Sequence, residues 1–393
     1  MPEPPASGAD AATEARHDVV IVGGGAVGLL LACLLARRGL DAVVLERRAE
    51  RSERSRAIGI HPPGLRALAL AGLDDEVRAR AVRIADGQVT CEGRVLGRMR
   101  FGRKAPVLSL PQLETEALLE RRLEELRPGS LRRGVEVREL HDRGTHVDVV
   151  ATAAGTGTGT AATLPARYVV GADGVRSGIR DLVGIRWMPH RGRAHYVMGD
   201  TRDDTGAPAS ALLHFEPAGV VESFPMPGGR RRWVAWVRRP PAHLTPAALA
   251  TIVRTRTGGA FDPGVAEPPS AFEARQHLAE RMADGRVALA GDAAHEISPI
   301  GGQGMNLGWL DAMRLDHDLA VALEVGAPPE AFEAYDRVRR AAARRAIRQA
   351  AFNMAMGAPA SGLRLRARNA TVRVLGIPPL RALLARAFTM RWL

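Results

Sequence analysis

Val19-Val20-Ile21-Val22-Gly23-Gly24-Gly25-Ala26-Val27-Gly28, continued by an apolar run from Leu29 to Arg38, decides the fold. A continuous apolar strand leads into G-x-G-x-x-G and then into a helix. Glycines at these places permit a tight turn, backbone contact with a pyrophosphate and close helix–strand packing, while the helix start takes the phosphate charge. Ala26 and Val27 lie on the same loop, so Gly23, Gly25, Ala26, Val27 and Gly28 are candidate cofactor contacts. A lone glycine pattern says little, but a second strand, Asp41 to Leu45, ends in Glu46, eighteen residues beyond Gly28. That is where an acid holds ribose hydroxyls. Strand, helix, strand and acid together predict an α/β dinucleotide-binding unit. Gly155-Thr156-Gly157-Thr158-Gly159 repeats the glycine spacing but lies between two strand-like runs with no helix after it, and reads as a hairpin tip. One dinucleotide fold is therefore predicted, and a second dinucleotide must bind without a domain of its own.

The other end of the chain carries a matching half. Arg286 to Ala290 is a short apolar run that Gly291 ends, which sets Asp292 just beyond the carboxyl end of a strand. Open α/β sheets hold their ligands there. Pro299 stiffens the approach, and Gly301, Gly302 and Gly304 clear side chains away so that backbone N–H groups can touch a ligand. From Met305 onward the pattern is helical, with Leu307, Leu310, Met313, Leu315 and Leu319 near one face. A helix start favours an anion. An acid beside it suits a ligand with polyol hydroxyls at one end and a ring that becomes anionic at the other, which describes reduced flavin.

Three ordered motifs make the chain similar to the class A FAD-dependent monooxygenases, the p-hydroxybenzoate hydroxylase-like aromatic hydroxylases. They are the N-terminal glycine loop with Glu46, the middle stretch Gly171-Ala172-Asp173-Gly174-Val175-Arg176-Ser177-Gly178-Ile179-Arg180, and Gly291-Asp292 through Asn306. Lesser matches are Arg56-Ala57 with Gly59-Ile60-His61-Pro62, and Leu110-Pro111-Gln112. Arg314 departs from the family, which usually has Asn at that place. The resemblance implies FAD as cofactor, with Glu46 on the adenosine ribose, Arg47 offsetting charge, and Arg56 and Gln112 reaching the pyrophosphate and ribityl region. Asp292 would meet the ribityl hydroxyls, and Gly304, Met305 and Asn306 the pyrimidine edge of the ring. Asp173 would be the double-duty residue of the Asp-Gly motif, with Arg176 and Arg180 placed for the phosphates of NADPH or NADH. The implied reaction passes through a C4a-hydroperoxide formed from O2, with Pro299 near the reacting edge and the helix start at Gly304 stabilising the anionic flavin. No side-chain acid or base is assigned, and His295 is expected to serve loop structure.

Composition fits an enzyme without choosing one. The 393 residues are 46% hydrophobic, enough for one large core or two moderate ones. Cys33 and Cys91 make no disulfide framework. Residues 1–16, rich in Ala, Pro and acid, read as a disordered tail rather than a signal peptide, and no transmembrane run is present, so a cytoplasmic protein is expected. The net charge of +12 comes almost wholly from scattered arginines, since Lys104 is the only lysine. Aromatic residues make up 4% of the chain, and no helix-turn-helix, zinc or RNA-recognition signature accompanies them, which argues against nucleic acid and against a bound metal. A basic face that steers an anionic dinucleotide or acidic substrate is the favoured reading.

The expected fold is a Rossmann-like, GR2-type FAD-binding α/β domain (17–82, 111–184, 283–328) with an inserted antiparallel sheet as substrate domain (83–110, 185–282). A helical segment (329–393) follows. Strands with short Gly/Pro turns between 185 and 282 supply the substrate wall, with His214, Glu222, Phe224, Met226 and Trp236 as candidate contacts. The resemblance implies an aromatic or polyketide-like substrate and a monomer or homodimer. Hydroxylation is expected, with epoxidation, Baeyer-Villiger insertion, or a nonredox cyclase or binding protein scaffolded by FAD as alternatives. A flavin halogenase is disfavoured: its Trp-x-Trp motif is absent, the nearest stretch being Trp233-Val234-Ala235-Trp236, and Lys104 lacks the expected context.

Overall fold

The computed structural model describes residues 17–51, 57–103, 105–155, 161–259, 261–378 and 380–390. The N-terminal tail, Arg56, Lys104 and the tip of the glycine–threonine hairpin lie outside them.

The first strand, His17–Val22, pairs in parallel with Ala42–Glu46 on one side and Ala162–Gly171 on the other. Val287–Leu289 and Leu131–Arg133 extend the parallel sheet outward. These strands read as unbroken apolar runs because both faces are covered: Val19, Val20 and Ile21 are fully buried. Helix Ala26–Arg37 packs against Gln112–Leu126 and Gly304–Glu324, and this layer with the sheet forms the largest core. Topology then does the positioning. Val22, Glu46, Gly171 and Leu289 all close their strands at one end of the sheet, so Gly23, Glu46, Asp173 and Asp292 converge from four distant parts of the chain.

The second sheet has seven strands among the described residues, in the order Ser270–Ala274, Ala194–Arg202, Arg230–Val237, Val221–Met226, Ser210–His214, Asp86–Cys91 and Arg94–Arg100. It corrects the expected antiparallel wall at one joint, because Ser210–His214 runs parallel to Asp86–Cys91. More than a hundred residues separate these two strands in sequence, so no hairpin dictates their direction. The region 185–282 also holds a helix, Pro246–Thr257, where the sequence reading saw strands alone. Thr245 caps it, with its side-chain oxygen accepting from the Ala248 amide, and Pro246 starts it. It buries Leu249, Ala250 and Val253 with Val197, Val221 and Trp233 on one face of the sheet, which leaves the other face for the site.

A three-stranded sheet of Gly59–Ile60, Val107–Ser109 and Val82–Ile84 ties the two parts together, so the chain comes back to the nucleotide-binding part before residue 110. The C-terminal segment is helical, as Glu333–Gly357, Gly362–Leu375 and Leu380–Phe388.

Candidate active site

At the N-terminal loop, Gly28 sits where a Cβ would collide with the Gly23 carbonyl oxygen, so only glycine lets the helix approach its own strand. Glu46 is buried beneath the loop and accepts hydrogen bonds from the Gly24 amide (2.7 Å), the Arg48 amide (2.9 Å) and Arg48 Nε (3.0 Å). Burial opposes ionisation, but these donors outweigh it and hold the carboxyl below its usual range. Arg48 is thus the basic partner of Glu46, in place of the expected Arg47, which is exposed. Gln112 lines the loop and donates to Glu116 Oε1 (2.8 Å), and the Ala26 amide donates to the same oxygen (3.2 Å). A carboxylate therefore serves the helix start here. Nothing in the sequence pattern singled out Glu116.

The loops around Gly291 and Gly304 are held by residues that do not border the cavity. Gly291 adopts φ +60°, and a Cβ there would stand 2.9 Å from Val27 Cγ2; this turn exposes Asp292 at the mouth of the cavity. The Gly291 amide is held by Asp311 Oδ2 (3.0 Å). Asp311 is fully buried and also accepts from His295 Nε2 (2.6 Å) and Arg339 Nε (2.7 Å). Burial pushes its carboxyl up, and the two basic partners more than reverse this. Asn306 is likewise internal: its Oδ1 accepts from the His61 amide (2.8 Å), and its Nδ2 donates to the Gly59 (2.9 Å) and Gly302 (3.0 Å) carbonyls. Its side chain staples two loops together. Trp309 Nε1 donates to the Ala26 carbonyl (3.0 Å), which locks this helix to the first glycine loop.

In the Asp-Gly motif, Asp173 lines the cavity with Oδ2 accepting from the Ile179 amide (3.2 Å) and Oδ1 buried without a partner. Burial holds its carboxyl above the usual range. Arg176 is exposed. Arg180 is not the free anion contact its place suggested: it is buried, donates to the Val175 and Ala293 carbonyls (both 3.2 Å) and lies 4.1 Å over the Trp187 ring. It ties the Asp-Gly turn to the turn carrying Asp292.

One cavity of about 640 Å³ joins these loops to the second sheet. Gly23, Gly25, Ala26, Val27, Glu46, Arg47, Gln112, Asp173, Asp292, Pro299, Gly304 and Met305 all border it. The sheet contributes Met198, Glu222, Phe224, Arg232 and Val234. Register explains which candidates arrive. Glu222 lies opposite Val234, and Phe224 opposite Arg232, on one face. His214 lies opposite Val221, so it takes the other face, where it stacks on Trp233 and bonds Thr90 Oγ1 (2.9 Å). Met226 and Trp236 share the parity of Glu222 but sit at strand ends beyond the cavity, Trp236 packing on Gly219. His61, part of a matched motif but given no site role from the sequence, borders the cavity; it is buried, its Nε2 donates to the Gly301 carbonyl (3.1 Å), its Nδ1 has no partner, and burial lowers its pKa to about 4.

The residues fit FAD. Gly304 opens the long helix with free space where a Cβ would stand, Asp173 Oδ1 is buried and unpartnered, and Glu46 borders the same cavity beside the N-terminal glycine loop. Strand ends, glycine loops and a shared cavity define a dinucleotide-dependent α/β enzyme with a second sheet as its wall. The chain belongs to the family described as FAD binding domain, which it matches over residues 16–350. It is 34% identical over 340 residues to the 12-dehydrotetracycline 5-monooxygenase/anhydrotetracycline 6-monooxygenase of Streptomyces rimosus subsp. rimosus, covering 83% of this chain and 67% of the relative. It is 33% identical to the dialkyldecalin synthase of Streptomyces rugosporus, covering 84% and 70%. The crystal structure of p-nitrophenol 4-monooxygenase from Pseudomonas putida superposes with a TM-score of 0.83 at 26% identity, covering 96% of this chain and 97% of that one. The protein is an FAD-dependent monooxygenase.

Proposed function

We propose that this enzyme uses NADH or NADPH and O2 to hydroxylate an aromatic, polyketide-like molecule held between the flavin loops and the sheet face of Glu222 and Phe224. The observation that carries it is the continuity of the cavity from Glu46 to Val234, which gives cofactor and substrate one shared space. The likeness to an anhydrotetracycline monooxygenase supports the substrate class. FAD, when bound and reduced, supplies activation of dioxygen and transfer of one oxygen atom. The chain's own residues do the rest. The Gly23–Gly28 loop and Glu46 would hold the pyrophosphate and ribose, Asp292 and Asp173 the ribityl hydroxyls, and the Gly304 and Met305 amides the pyrimidine edge. The helix start at Gly304 favours the negative charge of the reduced ring. Pro299, Ile300, Phe272, Met198 and Val234 wall the cavity with apolar surface and exclude water. Arg176, exposed beside the Asp-Gly turn, would meet the phosphates of the nicotinamide donor. A cytoplasmic location agrees with the free thiols of Cys33 and Cys91, and the enzyme would act as a monomer or homodimer.

The test follows NADH and NADPH oxidation by the purified yellow protein with anhydrotetracycline and simple phenols, and mass-spectrometric incorporation of one oxygen from labelled O2. Flavin that neither nucleotide reduces with any of these ligands present would overturn the reading. Product formed with the flavin oxidised throughout would favour ring formation on an FAD scaffold, which the likeness to dialkyldecalin synthase supports.

A further inference from the structure

Glu222 is the only acidic side chain on the face of Val221–Met226 that walls the cavity, and its setting is unusual for a carboxyl. It is 5% exposed, borders the cavity, and forms no hydrogen bond or ion pair with any described residue. Its surroundings are apolar: Val234 lies opposite it in register, Met198 lies opposite Val234, and Phe224, Phe272 and Ile300 complete the wall. The nearby bases are already engaged. Arg232 donates through Nε and Nη2 to Asp200 (2.8 and 2.7 Å), and Arg275 donates through Nε to Glu273 (2.8 Å). Tyr196, on the strand of Met198, is fully buried with its hydroxyl unpartnered, and the Glu222 charge adds to the burial that holds its proton on. The Glu222 carboxyl faces the cavity with no partner among the described residues, so a donor brought in by a ligand is the physical expectation.

We propose that Glu222 is a specificity residue that accepts a hydrogen bond from the hydroxyl of a neutral phenol or enol, and that it turns away rings ending in a carboxylate. This rests on the reading of the cavity as the substrate site. A hydroxyl donor satisfies the carboxyl while the ring lies on Phe224, Met198 and Val234. A second carboxylate would face Glu222 while the neighbouring Arg232 and Arg275 are already bound to Asp200 and Glu273, and like charges at an apolar wall repel.

Equilibrium dialysis with the FAD-loaded protein at pH 8 tests this with 2-naphthol, 2-methoxynaphthalene and 2-naphthoate as probes. The native protein should bind 2-naphthol about tenfold or more tightly than either of the others, the scale of one hydrogen bond to a charged group. Glu222→Leu should bring 2-naphthol and 2-methoxynaphthalene within about twofold and strengthen 2-naphthoate, as expected once the acceptor and its charge are gone. Glu222→Gln keeps an acceptor and removes the charge, so it should retain part of the naphthol preference while accepting naphthoate; it also guards against a Leu variant that fails to fold. Native protein that binds the three probes equally, or binds none, overturns the proposal, as does an unchanged preference in both variants. Binding is read without turnover, so lost selectivity with oxygen insertion intact refutes this inference alone. Intact selectivity without flavin reduction refutes the monooxygenase reading alone.

Discussion

Asp311 receives three donors, from His295, Arg339 and the Gly291 amide, without bordering the cavity. Removing it leaves the buried Arg339 charge uncompensated and the Gly291 amide without its acceptor. Breaking a buried pair this way costs about 3–5 kcal/mol, far more than a surface ion pair contributes. Asp311→Ala should therefore lose stability on that scale in urea denaturation and release FAD, although its side chain touches no ligand. A loss below about 1 kcal/mol would show that the network is dispensable. Glu222 gives the opposite case. Burial raises its carboxyl to about 7, so its contribution to stability is complete below the ordinary value of 4.5 and is lost as pH rises through 7. Glutamine has no such dependence. The stability of Glu222→Gln relative to the native protein, without ligand, should be flat at acid pH and gain up to about 3 kcal/mol above pH 7. Groups common to both proteins cancel in this difference, and a pH-independent difference would place the carboxyl in contact with water.

Two glycines show how an element's role divides between fold and cofactor. Gly28 faces the Gly23 carbonyl with no space for a Cβ, whereas Gly304 opens its helix toward the cavity with no heavy atom near. Gly28→Val should fail to fold or melt far below the native protein. Gly304→Val should keep the native melting temperature without cofactor, yet weaken FAD binding by more than about tenfold, because the new side chain fills space the ligand needs. Parallel drops in both variants would mean that Gly304 also serves the fold. Asp292→Ala belongs with Gly304→Val: weaker FAD retention with unchanged thermal stability, checked by flavin absorbance after gel filtration. These elements were legible in the sequence because period, glycine spacing and strand-ending acids are local signals. What was not legible depends on pairing. The sequence presents His214 and Glu222 alike, as polar residues in strands, and only register sends one to Trp233 and the other to the cavity. Asp311 and Glu116 lie on helices with ordinary-looking charged positions; their partners come from 16 and 90 residues away. The parallel joint of Ser210–His214 with Asp86–Cys91 has no local signature at all.

Across the whole molecule, charge is divided between work inside the fold and a field outside it. Many arginines are committed: Arg232 to Asp200, Arg339 to Asp311, Arg133 to Glu120 and Arg38 to Asp316. Such pairs cancel at a distance, and the net +12 is what a diffusing anion meets. Arg47 lies exposed on the cavity beside Glu46 and Arg176 is exposed beside the Asp-Gly turn, so under the proposed function part of that excess stands where a nicotinamide dinucleotide would arrive. Screening shortens from about 10 Å at 0.1 M salt to about 3 Å at 1 M, which weakens steering without touching the bound complex. Raising salt from about 0.05 to 0.5 M should thus lower kcat/KM for NADPH by about tenfold while kcat changes little, with stopped-flow flavin reduction as the readout. Arg176→Ala should remove part of that salt response, and a distant change such as Arg381→Ala should leave it intact. Equal effects from the two would make the steering a property of total charge, and no salt response at all would assign the arginines to local pairing alone.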